Sequence, residues 1–223
     1  TIRRGLRSSA ATGFLRPARR RANLRIITRA HATRIVFSGT RATGVEYLRD
    51  GITASATARA EVLVAGGSFN SPQLLQLSGV GPAPLLQRHG IGVVADMPGV
   101  GMNLQDHYTA RMVYECTERC TLNDVIGNIP KSIAAALRFA FLRKGFLAMG
   151  QSFATGFIRA DPASVTPDIQ TSITLYSFDK PGDKLHPFPG FTLAARVLRP
   201  ESRGSVTIRS ADPLAPPAIA PNY

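Results

Sequence analysis

The stretch Glu61-Val62-Leu63-Val64-Ala65-Gly66-Gly67-Ser68-Phe69-Asn70-Ser71-Pro72-Gln73-Leu74-Leu75-Gln76-Leu77-Ser78-Gly79 decides how this sequence reads. Glu61 to Ala65 is a short, nearly continuous apolar run, the pattern of a strand buried on both faces, and such strands belong to parallel sheets. Two glycines end it. Ser71 is a good N-cap and Pro72 suits the first helical position, so a helix is predicted through Leu77 and Ser78, stopped by Gly79. A buried strand that turns through bare glycine into a helix lets main chain approach a bulky ligand where any side chain would collide.

Working upstream, the spacing predicts a small antiparallel meander. Leu24, Ile26 and Ile27, then Ile35 and Phe37, read as two short strands bent around His31-Ala32-Thr33. Ser38-Gly39-Thr40 reads as a turn, Thr43, Val45 and Tyr47 alternate, and Asp50-Gly51 is a strong hairpin signal before a strand near Ile52 to Ala58. Downstream, a short helix is predicted from Pro84 to Arg88, ended by Gly90, then an extended run from Ile91 to Met97 and a loop at Pro98-Gly99-Val100-Gly101. Further strands are expected at Ala110 to Cys116, Ile169 to Tyr176, Phe191 to Leu198 and Ser205 to Ile208. Ile133, Leu137 and Phe141 share one face of an amphipathic helix that starts at Pro130 and ends near Gly145, and this apolar stripe is expected in the core. The fold class is therefore α/β in the first part with α+β in the second.

Composition narrows the function. The chain has 223 residues, 44% hydrophobic and 18% charged, which is a globular balance. Arg, Lys, Pro or Gly interrupts every apolar run before it could span a bilayer, so no membrane span is expected. Cys116 and Cys120 lie four apart without a second pair or a nearby histidine, which gives neither a zinc site nor a disulfide framework, and a cytoplasmic location is expected. The net charge of +13 is uneven, because the first 34 residues hold ten arginines and no acid. Those arginines fit a solvated face, a phosphate-binding patch or a transit segment. Phe14 is the one aromatic among them, and without interleaved aromatics no nucleic-acid partner is expected.

The segment Gly67 to Gly81 resembles the second signature of the glucose-methanol-choline (GMC) oxidoreductases. The likeness continues through Met97-Pro98-Gly99-Val100-Gly101-Met102-Asn103-Leu104-Gln105-Asp106-His107. Asn23-Leu24-Arg25-Ile26 with His31 to Ile35 is similar to the family's adenine-side strand, and Ser202 to Val206 with Ala211 to Tyr223 is similar to the start of its C-terminal region. The resemblance implies an FAD-binding, Rossmann-like part over 1–108 and an antiparallel-sheet, substrate-binding part over 109–223, with the C-terminal region starting at about 199. It implies FAD as cofactor, with Ala32 offering main chain to the adenine and Ala65, Gly66 and Gly67 lying beside the flavin. Asn103, Gln105 and Asp106 fit two roles, ordering their own loop or meeting a ligand.

Two features of that family are missing. No Gly-x-Gly-x-x-Gly turn is present to hold a pyrophosphate at a helix N-terminus, and Gly99-x-Gly101 lacks both the third glycine and the strand-turn-helix context. The His-Pro-x-Gly-Thr stretch that carries the family's base is absent too. His31, His89, His107 and His186 sit in other contexts, so no catalytic residue is assigned, and no two of them are spaced as metal ligands. Gly-x-Ser-x-Gly is absent as well, which excludes a recognisable hydrolase elbow. Phe146 replaces the proline of the family's usual Gly-Pro-Leu, and the following run to Phe157 lacks its glutamate. That favours a neutral alcohol over a cationic substrate.

The expectation is an internal fragment of an FAD-dependent enzyme that oxidises a CH–OH group by hydride transfer to flavin, inactive by itself. A truncated binding or assembly module using the basic start, and a non-functional remnant with unpaired strand edges, are the competing readings. No sequence feature sets an oligomeric state.

Overall fold

The computed structural model describes residues 2–150 and 152–223. The chain begins with β1 (Ile2–Arg3) and β2 (Leu6–Arg7), a wide helical turn at Ala11–Leu15 and the single turn α1 (Arg16–Ala18). It continues with β3 (Ala30–Ser38), β4 (Arg41–Arg49), β5 (Ile52–Thr57), α2 (Gly67–Leu77), β6 (Val80–Gly81), α3 (Ala83–Arg88), β7 (Ala95–Asp96) and β8 (Met102–Leu104). Then come β9 (Thr109–Glu115), α4 (Leu122–Ile126), α5 (Ile129–Leu142), β10 (Ala154–Ile158), β11 (Ile169–Thr174), β12 (Gly190–Val197), β13 (Gly204–Thr207) and β14 (Ala218–Ala220). These form two compact units, one of residues 26–106 with 201–223, the other of residues 1–25 with 107–200.

In the first unit, β3, β4 and β5 form the antiparallel meander expected from sequence. Asp50 and Gly51 both take positive φ, at 50° and 80°, the backbone that a two-residue hairpin needs to match strand twist. The expected bend at His31-Ala32-Thr33 is instead a bulge inside one strand, where the register slips between Ala32 and Arg34. Leu24 to Ile27 form no strand. Helix α2 packs on β3, and Ile35 N–H donates to Ser78 Oγ at 2.8 Å. Ile35, Leu86, Val206 and Ile208 are buried in this unit.

The expected buried strand at Glu61 to Ala65 is a correction. This run forms no strand among the described residues, and Leu63 is 80% exposed. An apolar run reports that both faces suit burial, whereas burial itself needs neighbouring strands, and the described residues place none alongside. The parallel pairing that does form is short, Val80 with Ala95 and Gly81 with Asp96.

The second unit carries an antiparallel sheet in the order β10-β11-β12-β9. Its register sets Leu193 opposite both Met112 and Ile173, and Phe191 opposite Tyr114, whose ring it stacks on at 5.2 Å. The side chains of Thr192, Ala194 and Ser172 are buried. Thr121 caps α4 through a reciprocal box with Asp124, which accepts from Thr121 N–H and Oγ–H at 3.1 and 3.0 Å. The expectation for α5 also needs correcting. The helix forms, capped by Asn128 Oδ1 on Lys131 N–H at 3.1 Å, but Ile133, Leu137 and Phe141 stand exposed rather than in a core.

Candidate functional site

The site is built around the N-terminal end of α2. Gly66 is its N-cap, with no side-chain cap bond, and Gly67 opens the helix at φ 82°. The helix thus starts before Ser71, and Pro72, expected at its first position, lies inside it. Pro72 cannot donate to the Ser68 carbonyl, so the break falls in the exposed first turns, where the missing partner is replaced by solvent. Ser71 is a helical residue rather than a cap.

Ala65, Gly66 and Gly67 are contiguous and all exposed. A Cβ added at Gly67 would meet nothing within 4 Å, whereas one at Gly66 would lie 3.1 Å from Asn70 Cβ and 3.2 Å from Ser71 N. Glycine at Gly66 therefore serves close packing of the turn on the helix, and at Gly67 it serves the backbone angle and leaves an open face. Ala32 is exposed on β3, paired with Tyr47. Its strand meets α2 at the far end, through Ile35 and Ser78, so the helix length of about 16 Å separates that anchor from the two glycines.

Beside the glycines lies a cavity of about 290 Å³ lined by Ser68, Pro72, Gly101, Asn103, Gln105 and Val206, among others. The loop from Pro98 that forms one wall is held from beneath by Gln76, which is fully buried. Gln76 Nε2 donates to the Val100 and Val206 carbonyls at 3.2 and 3.0 Å, and its Oε1 accepts from Ile208 N–H at 2.9 Å. Gly101, at φ 84°, admits this contact, since a Cβ there would stand 2.4 Å from Gln76 Nε2 and 2.1 Å from the Val206 carbonyl. Sequence reading treated Gln76 as an ordinary helical residue. Its only outward signal was a carboxamide inside the run Leu74-Leu75-Gln76-Leu77.

The two roles open for the following polar residues divide. Asp106 accepts from the Tyr223 hydroxyl at 2.5 Å and so ties the chain end to this unit. Asn103, held at φ 64°, and Gln105 line the cavity, and among the described residues neither side chain has a hydrogen-bond partner in the protein. Three of the four histidines are spoken for elsewhere. His31 Nε2 lies 3.0 Å from the Pro213 carbonyl, His107 Nδ1 lies 2.6 Å from the Val197 carbonyl, and His186 lies between Ser177 and Asp179. No group of three metal-ligating side chains occurs among the described residues.

Residues 1–109 match the family model described as GMC oxidoreductase. The whole chain is 37% identical to an alcohol dehydrogenase [acceptor] of Pseudomonas putida, covering 100% of this chain and 41% of that protein. Over its whole length the chain resembles members of the GMC oxidoreductase family. Another member, an oxygen-dependent choline dehydrogenase of Stenotrophomonas maltophilia, is 41% identical over 99% of this chain and 39% of its own length. The chain thus spans about 40% of the length of the curated GMC relatives it matches. Among solved structures, the formate oxidase of Aspergillus oryzae superposes with a TM-score of 0.86 at 26% identity, covering 100% of this chain and 43% of that one. A pyridoxine 4-oxidase superposes at 0.79 with 26% identity, over 100% of this chain and 40% of its own. The α/β and antiparallel-sheet architecture is that of the GMC flavoenzymes.

Proposed function

We propose that these residues form part of an FAD-dependent oxidoreductase that oxidises the CH–OH group of a neutral alcohol, with the main chain of Ala65, Gly66 and Gly67 against the flavin and that of Ala32 against the adenine. The observation that carries this reading is the open main chain at the mouth of α2, where the first-turn N–H groups lack a capping side chain and Gly67 projects no atom.

The residues present fit one edge of such a nucleotide. Exposed backbone at Ala65 to Gly67 can lie flat against a ring system, the uncapped N–H groups favour electron-rich ring atoms, and the amides of Asn103 and Gln105 stand beside them with hydrogen-bonding capacity to spare. Ile35, on the same strand as Ala32, meets the C-terminal end of α2 while the glycines open its N-terminal end, a separation that suits a ligand that is long and thin. Bound FAD supplies a hydride acceptor for the alcohol carbon. This chain's part is to bind, orient and exclude water. None of its histidines takes the hydroxyl proton in this reading, since three are hydrogen-bonded within the protein and His89 lies away from the cavity, at the end of α3. The cytoplasmic location is part of the proposal and accords with the free thiols of Cys116 and Cys120.

The test is the visible spectrum of the natural protein that carries these residues. It is expected to purify yellow, with flavin absorption that bleaches when a short primary alcohol is added without oxygen. Colourless protein that takes up no FAD on reconstitution would overturn the proposal. A Gly67→Asn variant sharpens it, because asparagine tolerates positive φ but places a side chain on the open face. Flavin retention should fall at least about tenfold while the fold is kept.

A further inference from the structure

We infer that the acid-free face formed by the N-terminal hairpin and the C-terminal end of α5 docks on the surface of an anionic phospholipid bilayer. Residues 125–160 contain five cations and no acid, and residues 1–25, which belong to the same unit, contain eight arginines and no acid. The fold brings the hairpin of the second stretch against the end of α5 in the first. A Cβ added at Gly5, in the turn between β1 and β2, would lie 2.7 Å from the Arg143 carbonyl and 3.4 Å from Ala148 Cβ. Arg3, Arg4 and Arg7 are thereby gathered near Arg143 and Lys144, all exposed, and among the described residues none of the five forms an ion pair. Gathering like charges from two separate segments of a unit costs Coulomb energy that an external anion offsets.

The apolar component says which anion. Phe141 is 81% exposed and Leu142 62%, directly beside Arg143 and Lys144, and Ile133 and Leu137 continue the stripe along the helix. Bulky aliphatic and aromatic side chains gain nothing from a sugar-phosphate backbone, but they insert at the boundary between headgroups and acyl chains while neighbouring lysines and arginines bind headgroup phosphates. No described helix is long and apolar enough to cross a membrane, so the contact is interfacial. It adds to the proposed oxidation without depending on it, since docking needs no flavin.

The experiment is cosedimentation of the protein with vesicles of phosphatidylcholine alone and of phosphatidylcholine containing phosphatidylglycerol. Binding is expected only to the second, weakened by salt. Arg3→Glu with Lys144→Glu should lower the partition coefficient about tenfold or more, and Phe141→Ser should lower it without changing the salt dependence. Each of these side chains is exposed, so folded variants are expected, and circular dichroism checks that. Equal binding to both vesicles, no binding, or binding unchanged by the charge reversal would each overturn the inference. So would retention on DNA without vesicle binding, or a concentration-dependent dimer abolished by Phe141→Ser in protein that ignores vesicles.

Discussion

Replacing Gln76 with leucine tests whether one buried carboxamide holds the wall of the candidate site. The side chain is fully buried and its two ends satisfy three main-chain groups, the carbonyls of Val100 and Val206 and the N–H of Ile208. Leucine matches its size closely and removes all three bonds. A buried polar group left without a partner costs about 1–3 kcal/mol. Some relaxation toward the adjoining cavity is expected, so the loss should be about 3–6 kcal/mol, a large share of the 5–15 kcal/mol or so that stabilises a typical domain. Urea unfolding followed by circular dichroism reads this as a lower midpoint at similar slope. Gly101→Ala should cost a comparable amount, because its Cβ would overlap the Val206 carbonyl and the Gln76 amide at a positive φ. The double variant should cost less than the sum, since both changes dismantle one contact. Gln73→Leu is the control, as it loses a single part-buried bond to the Ala215 carbonyl and should cost about 1 kcal/mol. A Gln76→Leu midpoint within error of the parent, or strict additivity with Gly101→Ala, would falsify this account of the wall.

Other expectations follow from the second unit. Main-chain N–H groups of Ala160 and Asp161, at 2.7 and 3.0 Å, hold the Asp168 carboxyl below the usual carboxylate range. A lowered folded value means its contribution is present above the ordinary Asp value of about 3.9 and is lost as pH falls through the folded one. The Ala160 amide proton in NMR should therefore shift in that acid range and not above it, and the shift should vanish in Asp168→Asn. Asn123→Ala should destabilise the second unit by about 2–4 kcal/mol and make the segment from Ser177 to Phe188 sensitive to protease, because its amide holds Ser177, His186 and Phe188. Burial, then the Cys120 thiol and Asp124, push the Cys116 thiol up, so alkylation at neutral pH should be slower at Cys116 than at the exposed Cys120, and equal rates measured by mass spectrometry would contradict this.

What the sequence disclosed was mostly local. Asp50-Gly51 specified its hairpin, Gly79 and Gly90 ended their helices, and the strands expected at Ile169 to Tyr176 and Phe191 to Leu198 form as Ile169–Thr174 and Gly190–Val197. These follow from φ preferences and side-chain periodicity, which act within a few residues. Ser71-Pro72 misled because a proline in the second turn of a helix looks like one at its start, and the glycines four residues earlier supply the turn at no steric cost. Apolarity along Ile133 to Phe141 correctly marked a helix, whereas at Val62 to Ala65 it marked a strand that does not form; burial depends on what lies opposite, and that is not written in the segment itself. The cavity wall was invisible for a related reason: Gln76 acts through Val206 and Ile208, residues 130 and 132 positions away.

The second unit also contains a serine, a histidine and an aspartate in hydrogen-bonded sequence, and burial decides against reading them as a nucleophile with its base. Ser177 Oγ lies 3.0 Å from His186 Nδ1, and His186 Nε2 lies 3.2 Å from Asp179 Oδ1. A serine that attacks must meet its substrate, yet Ser177 is wholly inaccessible, and a Cβ added at Gly190 would stand 2.2 Å from its oxygen. No carbonyl carbon fits there. Asn123 Nδ2 also donates to Ser177 Oγ at 3.0 Å, and the contact of that oxygen with His186 Nδ1 holds the imidazole toward Asp179 at the surface. The chain of bonds runs outward from a buried amide to an exposed carboxylate. Its product is a fixed loop: Asn123 on α4 grips both ends of the excursion between β11 and β12, and Phe188, stacked on His186 at 4.7 Å, is carried back to the start of β12.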